Sequence, residues 1–323
     1  MTLNTQPLWD WVNERHAIYH RKLYLETSEI LPESVAFLGG TRLTQDKILS
    51  DYRFCNVFRE LDRVTVWIRE NIREPYADHP NLWIMLAIAR TINWPPTLAW
   101  LIKQNQSNLF RGCWPDTDDF QPSQLYAAME AYKMLGNKVY TGAYMIRAES
   151  NQKAEWFSWP KQRYVAEIVI GRLWETRDHW QTLLSGGDYP GEATRMEEVW
   201  QYFQSPHFIG WGPFMAYQVC VDLRWTRYLS AAPDIQTWAA VGPGSRRGLN
   251  RLAGRPVDYV LPQRDAVVEM RLIHREQPQF RAAHVPPIDL SDIQNCLCET
   301  DKYLRVALDE GRPRAKYIRG RGY

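Results

Sequence analysis

Two glycine-proline turns in the second half of the sequence could hold phosphate groups. They lie at residues 210–213 (GWGP) and 242–244 (GPG), and each pattern predicts the start of a helix. A helix that begins after glycine presents unbonded backbone N–H groups and the positive end of its dipole, which can bind an anion without a side chain. Arg246 and Arg247 follow the second turn. The pattern therefore predicts phosphate binding at both turns.

Two acidic residues are candidates for a general base. Asp234 lies between the two turns, and Asp62 lies in a segment, residues 56–69, whose apolar positions recur at helical spacing. A carboxylate can take a proton from an attacking amine when burial raises its pKa. Asp234 suits equally well the N-terminal cap of a helix predicted after Pro233. The sequence leaves both roles open for Asp234.

The predicted helix over residues 56–69 also carries a pair of arginines. Arg59 and Arg63 would lie one turn apart, where they could clamp a phosphate while Asp62 holds them in place. The alternative is a solvated helix face on which opposite charges three or four residues apart form weak pairs. The spacing alone is compatible with both interpretations.

Composition limits the classes of function. The 323-residue chain is 45% hydrophobic, which suffices for a substantial core, and its net charge of +2 excludes a binder that relies on a global positive field. Its five cysteines lack zinc-type spacing, so reduced cysteines and a cytoplasmic location are expected. No apolar run approaches the roughly 20 residues needed to cross a bilayer. No cofactor is expected, and dependence on a divalent metal stays open.

The helical periodicities predict an all-α protein. Residues 1–310 are expected to form a single helical domain, which could comprise two lobes, followed by a basic tail at residues 311–323. The tail contains five cations and no acid: Arg312, Arg314, Lys316, Arg319 and Arg321. Such a tail is either a solvated end or, with Tyr317 and Tyr323 interleaved, a segment that binds a nucleic-acid strand.

Residues 208–219 (FIGWGPFMAYQV) resemble the helix-hairpin-helix motif of DNA glycosylases. In that superfamily the hairpin amides bind a DNA backbone phosphate, and a catalytic aspartate follows about twenty residues later. Asp234 lies 22 positions after Gly212. The resemblance implies a glycosylase-like helical fold and a DNA partner.

A resemblance to a second family covers more of the chain. Residues 52–63, the hairpin, residues 241–249 and residues 293–303 together resemble the helical family that hypermodifies DNA bases. This family includes the α-glutamyl/putrescinyl-thymine pyrophosphorylases, or amino acid:DNA transferases, and the helical domain of 5-hydroxymethyluracil DNA kinases. The resemblance implies that an amine, either an amino acid or a polyamine, replaces the pyrophosphate of 5-pyrophosphoryloxymethyluracil in double-stranded DNA. For a bacteriophage protein, the location would be the host cytoplasm.

Site roles follow from this reaction. DNA would be held by the hairpin and the tail, through Gly210, Gly212, Arg314 and Lys316. The leaving pyrophosphate would be bound first by Gly244, Arg246 and Arg247, or second by Arg59 and Arg63. Either Asp62 or Asp234 would act as the base, with Glu299 and Asp301 as further possibilities, Arg246 would assist catalysis, and Asn56 would line the pocket.

Three other functions are alternatives to amine transfer. A glycosylase would use Asp234 to excise a base, although no lysine of the lyase type follows the hairpin glycines. A non-catalytic DNA-binding module would need only the hairpin and the tail. A kinase would need a G-x-x-x-x-G-K-[ST] loop, and the sequence contains none, which argues against phosphorylation by this chain.

Overall fold

The computed structural model describes residues 3–142, 146–186, 193–313 and 315–318, and its secondary structure is helical, which confirms the all-α prediction. In these ranges there is no strand, only an isolated antiparallel bridge between Tyr52 and Lys316. The helices are α1 (Gln6–Thr27), α2 (Lys47–Asp51), α3 (Arg63–Ile68), α4 (Leu82–Ile92), α5 (Pro95–Gln104), α6 (Pro122–Met134), α7 (Lys161–Arg163), α8 (Gly171–Glu175), α9 (Arg177–Leu184), α10 (Met196–Phe203), α11 (Pro213–Leu223), α12 (Pro243–Leu252), α13 (Gln263–Phe280) and α14 (Leu290–Ala307).

The other helical segments are a 3-10 turn at Arg59–Leu61 and π-helical segments at Arg69–Arg73 and Tyr164–Ile170. Within the described ranges, no helix combines the length and the apolar character that a membrane crossing requires.

The chain divides into two compact units. The terminal unit comprises Met1–Asp62 and Gln236–Tyr323, and the central unit comprises Arg63–Ile235. Helix α14 is the centre of the terminal unit, where it packs against α1, α2, α12 and α13. In the central unit α4 has the same role, because all eleven of its residues are buried.

Helix α14 presents two nearly opposite faces, about 160° apart at 3.6 residues per turn. The first face contacts residues 55–59 and consists of Asp292, Asn295, Cys296 and Glu299. The second face contacts α12 and consists of Gln294, Leu297, Cys298 and Asp301. Both sets have the i, i+3, i+4, i+7 spacing of a helix face. Helix α14 therefore separates the residues 55–59 from α12.

Close approach of α12 to α14 requires glycine. A Cβ on Gly248 would lie 2.3 Å from the backbone oxygen of Leu297, and a Cβ on Gly244 would lie 2.3 Å from the Sγ of Cys298. The first contact is with backbone, which cannot rotate away. A side chain at these positions would therefore clash with α14, although glycine costs about 1 kcal/mol relative to alanine inside a helix.

Replacing Gly248 with alanine should lower the free energy of unfolding by about 2 kcal/mol, because the overpacking strain exceeds the gain in helix propensity. Urea unfolding followed by circular dichroism measures the change. Gly212→Ala is the matched control, because a Cβ at Gly212 meets no atom within 4 Å. Equal stability of Gly248→Ala and the wild type would show that α12 and α14 are not packed this closely in solution.

The prediction of one helix over residues 56–69 is wrong. The segment has a 3-10 turn at Arg59–Leu61, an extended residue at Asp62 (ψ 132°), and then α3 from Arg63. The cause is local hydrogen bonding by side chains: Asp62 Oδ1 accepts from the backbone N of Asn56 (2.8 Å), and Asn56 Nδ2 donates to the carbonyl of Leu61 (2.7 Å). These bonds close a loop and so compete with the helix.

Candidate functional site

The loop closed by Asn56 and Asp62 brings together four charged residues and one asparagine that we call the Asp62 cluster: Arg15, Asn56, Arg59, Asp62 and Glu299. All five lie in the terminal unit. Asp62 is half-buried, and its Oδ1 accepts the backbone N–H of Asn56. Its Oδ2 has no hydrogen-bond partner among the residues that the structure describes. One carboxylate oxygen is therefore fixed, and the other is available to a ligand.

Two arginines supply positive charge to this cluster. Arg15, on α1, donates from Nε to the carbonyl of Cys55 (2.9 Å) and from Nη2 to Asn56 Oδ1 (2.7 Å). Arg59 is 6% exposed, and its backbone N–H is held by Asp292 Oδ1 at 3.0 Å. Both guanidinium groups act electrostatically on Asp62. The loop thus places a carboxylate beside two desolvated cations.

This environment shifts the pKa of Asp62. Burial raises the pKa from its ordinary value of 3.8 to about 6, against the opposing effects of the Asn56 N–H, Arg59 and Arg15. The negative charge of Glu299 contributes to the rise. An acid with a pKa near 6 is mostly ionised at neutral pH and can still accept a proton, as a general base must. Perturbed pKa values of this kind are enriched at functional sites.

Glu299 fixes the loop from α14. Its Oε2 accepts from the backbone N of Cys55 (2.9 Å) and from Lys302 Nζ (2.7 Å). Arg15 was not predicted as a site residue, and Glu299 was predicted only as a further possible base. For Arg15 the available signal was its type, because it is a charged residue among the apolar residues Leu8, Trp11, Val12 and Ile18 on one stripe of α1. Glu299 lies on a face of α14 that also carries Asp292 and Asn295, so its type gave no such signal.

The start of α12 holds the other predicted pyrophosphate residues. Gly242 precedes the helix, and Ser245 Oγ accepts its backbone N–H at 3.0 Å. The Nε of Arg246 is buried and makes no hydrogen bond within the described part of the chain. Arg247 is already paired, through Nε, with Asp301 Oδ2 at 2.8 Å, and Asp301 also holds Arg251 at 2.9 Å.

The structure does not bring the start of α12 to Asp62. Residues 55–59 and α12 pack on opposite faces of α14, so a helix diameter, about 10 Å, lies between them. Gly244 has a packing role against Cys298 there. Two sets of residues were predicted to bind the pyrophosphate. Only the second set, Arg59 and Arg63, has a member near the Asp62 carboxylate, and that member is Arg59.

The arginine clamp predicted from Arg59 and Arg63 is not formed as a helix pair. Arg59 lies in the 3-10 turn of the terminal unit, whereas Arg63 is exposed and begins α3 in the central unit. The predicted spacing of one helical turn is lost because the chain is extended at Asp62 between them.

Asp234 is completely buried, and both of its oxygens are used. Oδ1 accepts the backbone N–H of Met196 (2.8 Å) and Oδ2 that of Glu197 (3.0 Å), so the carboxylate caps the start of α10. The predicted cap of a helix after Pro233 is wrong, because turns follow Asp234. A capping carboxylate without exposure cannot contact a reactant, whereas Asp62, the other acid predicted as the base, is partly exposed.

The predicted hairpin begins in the segment of residues 204–212, which we call the hairpin turn and which connects α10 to α11 in the central unit. Gly210 has φ +85°, a backbone conformation that favours glycine, and a Cβ there would lie 2.8 Å from Val169 Cγ2. Both the conformation and the close contact therefore favour glycine at this position. Trp211 Nε1 donates to the carbonyl of Val169 at 3.1 Å, and Gly212 precedes the first turn of α11. The turn is thus rigidly held, and binding of DNA by Gly210 and Gly212 stays a prediction.

The predicted basic tail is described only in part. Ala315 and Tyr317 pair by backbone hydrogen bonds with Arg53 and Asp51 (3.1 and 3.0 Å), which places Lys316 beside Tyr52 with an exposed side chain. Arg314, Arg319 and Arg321 lie outside the described residues. DNA binding by Arg314 and Lys316 stays a prediction.

An open cavity of about 380 Å³ lies beside the hairpin turn. It is lined by residues of α8 to α10 and of the turn itself, among them His179, Tyr202, His207 and Phe208, and by none of the predicted site residues. Among the described residues no group of three or more histidines, cysteines or acids is arranged to hold a metal ion.

Comparison of the sequence with known proteins shows its family. Residues 2–312 match the family model described as 5-hmdU DNA kinase, helical domain, so the chain belongs to that helical-domain family. It is 26% identical over 266 residues to a protein of Bacillus phage SP10 named 5-hmdU DNA kinase, over 76% of this chain and 36% of the phage protein. The chain thus spans little more than a third of that relative's length. No solved structure shows significant similarity to it.

Proposed function

We propose that this chain transfers an amine to a pyrophosphorylated 5-hydroxymethyluracil base in DNA. Support comes from the family, whose phage member is named as a kinase of 5-hmdU DNA, and from the four motifs that resemble the helical DNA-base hypermodification family, which includes the thymine pyrophosphorylases. A kinase produces a phosphorylated hydroxymethyl group, and an amine transferase consumes such a group. The absence of a P-loop in this sequence favours the second step over the first.

The observation that carries the proposal is the Asp62 cluster. It combines a carboxylate whose pKa is about 6 with two arginines, Arg15 and Arg59, at the same loop. Displacement of pyrophosphate by an amine needs a base for the nucleophile and cations for the leaving group. The cluster supplies both.

The reaction breaks one C–O bond and forms one C–N bond. The bond between the exocyclic methylene carbon and the pyrophosphate oxygen breaks, and its electron pair leaves with the oxygen. The lone pair of the amine forms the new bond to that carbon. The surplus proton on nitrogen passes to Asp62 Oδ2, while Arg15 and Arg59 stabilise the negative charge that grows on the pyrophosphate.

DNA must also be held and the base exposed. The hairpin turn would bind a backbone phosphate through the amides at the start of α11, where the ring of Phe214 is 42% exposed. The target nucleotide would have to leave the stack of nucleobases, because its exocyclic methylene carbon must lie in one pocket with the amine and with the carboxylate that takes the proton.

The test uses duplex DNA that carries 5-pyrophosphoryloxymethyluracil, incubated with the full chain and a panel of amines that includes putrescine, glycine and glutamate. The DNA is then digested to nucleosides and analysed by mass spectrometry. We expect an amine-dependent nucleoside and release of one pyrophosphate per modified base. DNA that stays unmodified with every amine would refute the proposal, and free base with an abasic site would indicate a glycosylase instead.

Arg59→Lys should lower kcat by about tenfold, because lysine keeps the charge but loses the planar fork that binds pyrophosphate. Arg246→Lys, the matched variant at the start of α12, should leave kcat unchanged because α14 separates it from Asp62. Steady-state rates of pyrophosphate release measure both. The reverse result, a lower kcat in Arg246→Lys alone, would place the leaving group at α12, as the sequence predicts.

A second candidate is a DNA-recognition module without chemistry of its own. It is favoured by one observation: the chain matches a helical domain and only 36% of the length of the phage kinase. In that case the chain would bind the modified DNA tightly, yet the mass of the nucleosides would not change with any amine.

A further inference from the structure

We propose that Tyr317, in the tail, is the residue on which the target base stacks when that base enters the Asp62 cluster. Its ring would contact the substrate directly, beside the arginines that hold the pyrophosphate. This role rests on the proposed function, because it assigns a contact with the base at the same site. It gives the tail a part in base recognition in addition to its predicted binding of the DNA backbone.

The tail pairs with the segment that leads into the cluster. The backbone N of Arg53 donates to the carbonyl of Ala315 at 3.1 Å, and the backbone N of Tyr317 donates to the carbonyl of Asp51 at 3.0 Å. The same segment continues into residues 56–62, the loop that forms the cluster, and all of these residues lie in the terminal unit. The two backbone bonds therefore fix the position of Tyr317 relative to the loop.

The pairing also sets the direction of the Tyr317 side chain. Tyr52 and Lys316 form the antiparallel bridge that lies between the two backbone bonds. They are a pair without hydrogen bonds to each other, so their side chains lie next to each other on one face. Because side chains alternate along an extended chain, the side chain of Tyr317 points to the opposite face.

Arg15 connects Tyr317 to the cluster. The phenol of Tyr317 and the carboxylate of Asp62 both act electrostatically on the Arg15 guanidinium, so both lie within the interaction range of one cation. The guanidinium itself is held on the loop, through Nε to the carbonyl of Cys55 at 2.9 Å and through Nη2 to Asn56 Oδ1 at 2.7 Å. Tyr317 therefore lies on the Arg15 side of the cluster.

The ring of Tyr317 is available to a ligand. The residue is 38% exposed, and among the residues that the structure describes neither an aromatic ring nor a cation stacks on it. A nucleobase that leaves the double helix loses its stacking partners, and an aromatic side chain can replace them. Since a single methylene carbon joins the base to the pyrophosphate, a ring beside Arg15 lies where the base must be when Arg15 and Arg59 hold the leaving group.

The test measures binding of two fluorescent duplexes to the full chain by anisotropy, without an amine. One duplex carries 5-pyrophosphoryloxymethyluracil, and the other carries an abasic analogue at the same position. Tyr317→Ala should weaken binding of the first duplex by about tenfold, the usual size of a lost base–aromatic stack. It should leave binding of the second unchanged, because an abasic nucleotide has no base to stack.

Two further variants are controls. Tyr317→Phe keeps the ring and should bind both duplexes as the wild type does. Ile318→Ala truncates the next residue of the tail, which is 52% exposed and whose side chain points to the other face, so it should also bind as the wild type does.

The outcomes separate this inference from the proposed function. Unchanged binding of the first duplex by Tyr317→Ala, with amine transfer intact in the wild type, would overturn the role of Tyr317 alone. Equal weakening of both duplexes would overturn it as well, because a loss that does not depend on the base indicates a structural role. A loss confined to the duplex with the base, when the wild type transfers no amine, would support the stacking contact and refute the transferase.

Discussion

Replacing Asp62 with asparagine should reduce amine transfer by roughly a hundredfold or more, the usual contribution of a general base. Asparagine keeps an oxygen that can accept the backbone N–H of Asn56, so the loop should persist. It cannot take the proton of the amine. Pyrophosphate release and nucleoside mass measure the loss, and DNA binding by anisotropy should be unchanged, which distinguishes lost chemistry from lost substrate.

The same variant should change the pH profile. In the wild type, kcat/KM for the DNA should rise with pH and level off above a pKa of about 6, because the base acts as a carboxylate. That rise should be absent from the residual activity of Asp62→Asn. Full activity in the variant, or a wild-type rate that does not change between pH 5 and 7, would exclude Asp62 as the base.

As the pH rises, the contribution of Asp62 to the stability of the fold should fall while the activity rises. The folded protein keeps the Asp62 proton up to pH about 6, whereas the unfolded chain loses it near 3.8. The group therefore stabilises the fold fully below pH 3.8, and that contribution is lost as pH rises through 6. The shift corresponds to at most about 3 kcal/mol, reduced to roughly 1–2 by the partial exposure of Asp62.

Urea unfolding can detect this difference. Asp62→Asn should be more stable than the wild type at pH 8, and the advantage should shrink toward pH 5. Asp118→Asn is the matched control, because Asp118 is exposed and makes no hydrogen bond in the described structure, so its stability should follow the wild type at both pH values. A less stable Asp62→Asn at pH 8 would mean that the carboxylate is a structural partner of the arginines instead of a strained base.

Some features of the site could be predicted because they are local. Glycine followed by proline predicts the starts of α11 and α12, and a run of apolar residues predicts α4. Asp62 was recognisable as an acid among arginines. Its surroundings were not, because Arg15 lies 47 residues before it and Glu299 lies 237 residues after it. Side chains that come into contact only through tertiary packing have no characteristic spacing in the sequence from which the contact could be predicted.

The errors have physical causes of the same kind. The helical period of residues 56–69 was real, yet hydrogen bonds between Asn56 and Asp62 outcompeted the helix. Asp234 does cap a helix, but its partner is α10, 38 residues earlier in the chain. Helix α14 separates Arg246 from Asp62 because residues 55–59 and α12 pack on its opposite faces. Helix geometry gives this separation only once it is known that both segments pack against α14.

A buried ion pair in the central unit was missed although the sequence carries a signal for it. Arg90 lies within the apolar run of α4, where every residue is buried, so it must find a counter-charge. It does so on α11: Nε and Nη2 donate to Asp222 Oδ2 and Oδ1 at 2.5 and 2.6 Å, and Nη2 also donates to Thr65 Oγ1 at 3.0 Å. The pair ties α3 and α4 to the helix that follows the hairpin turn.

Asp222→Ala should therefore lower the free energy of unfolding by about 3–5 kcal/mol, because it leaves a buried guanidinium without a counter-charge. For a unit of this size, that loss lowers Tm by roughly 10 °C. Thermal unfolding by circular dichroism measures it. Glu175→Ala is the matched control: Glu175 is 59% exposed and 3.4 Å from Arg172, so its loss should cost less than about 1 kcal/mol.

The double variant Arg90→Met/Asp222→Leu separates the two contributions of the pair. Because it removes both charges and fills their volume with apolar atoms, it should recover most of the stability lost in Asp222→Ala. If the hairpin turn depends on the pair only for support, DNA binding should recover with it. Recovery of stability without recovery of binding would instead mean that the ion pair sets the direction of α11, and with it the direction of the amides that are proposed to hold the DNA phosphate.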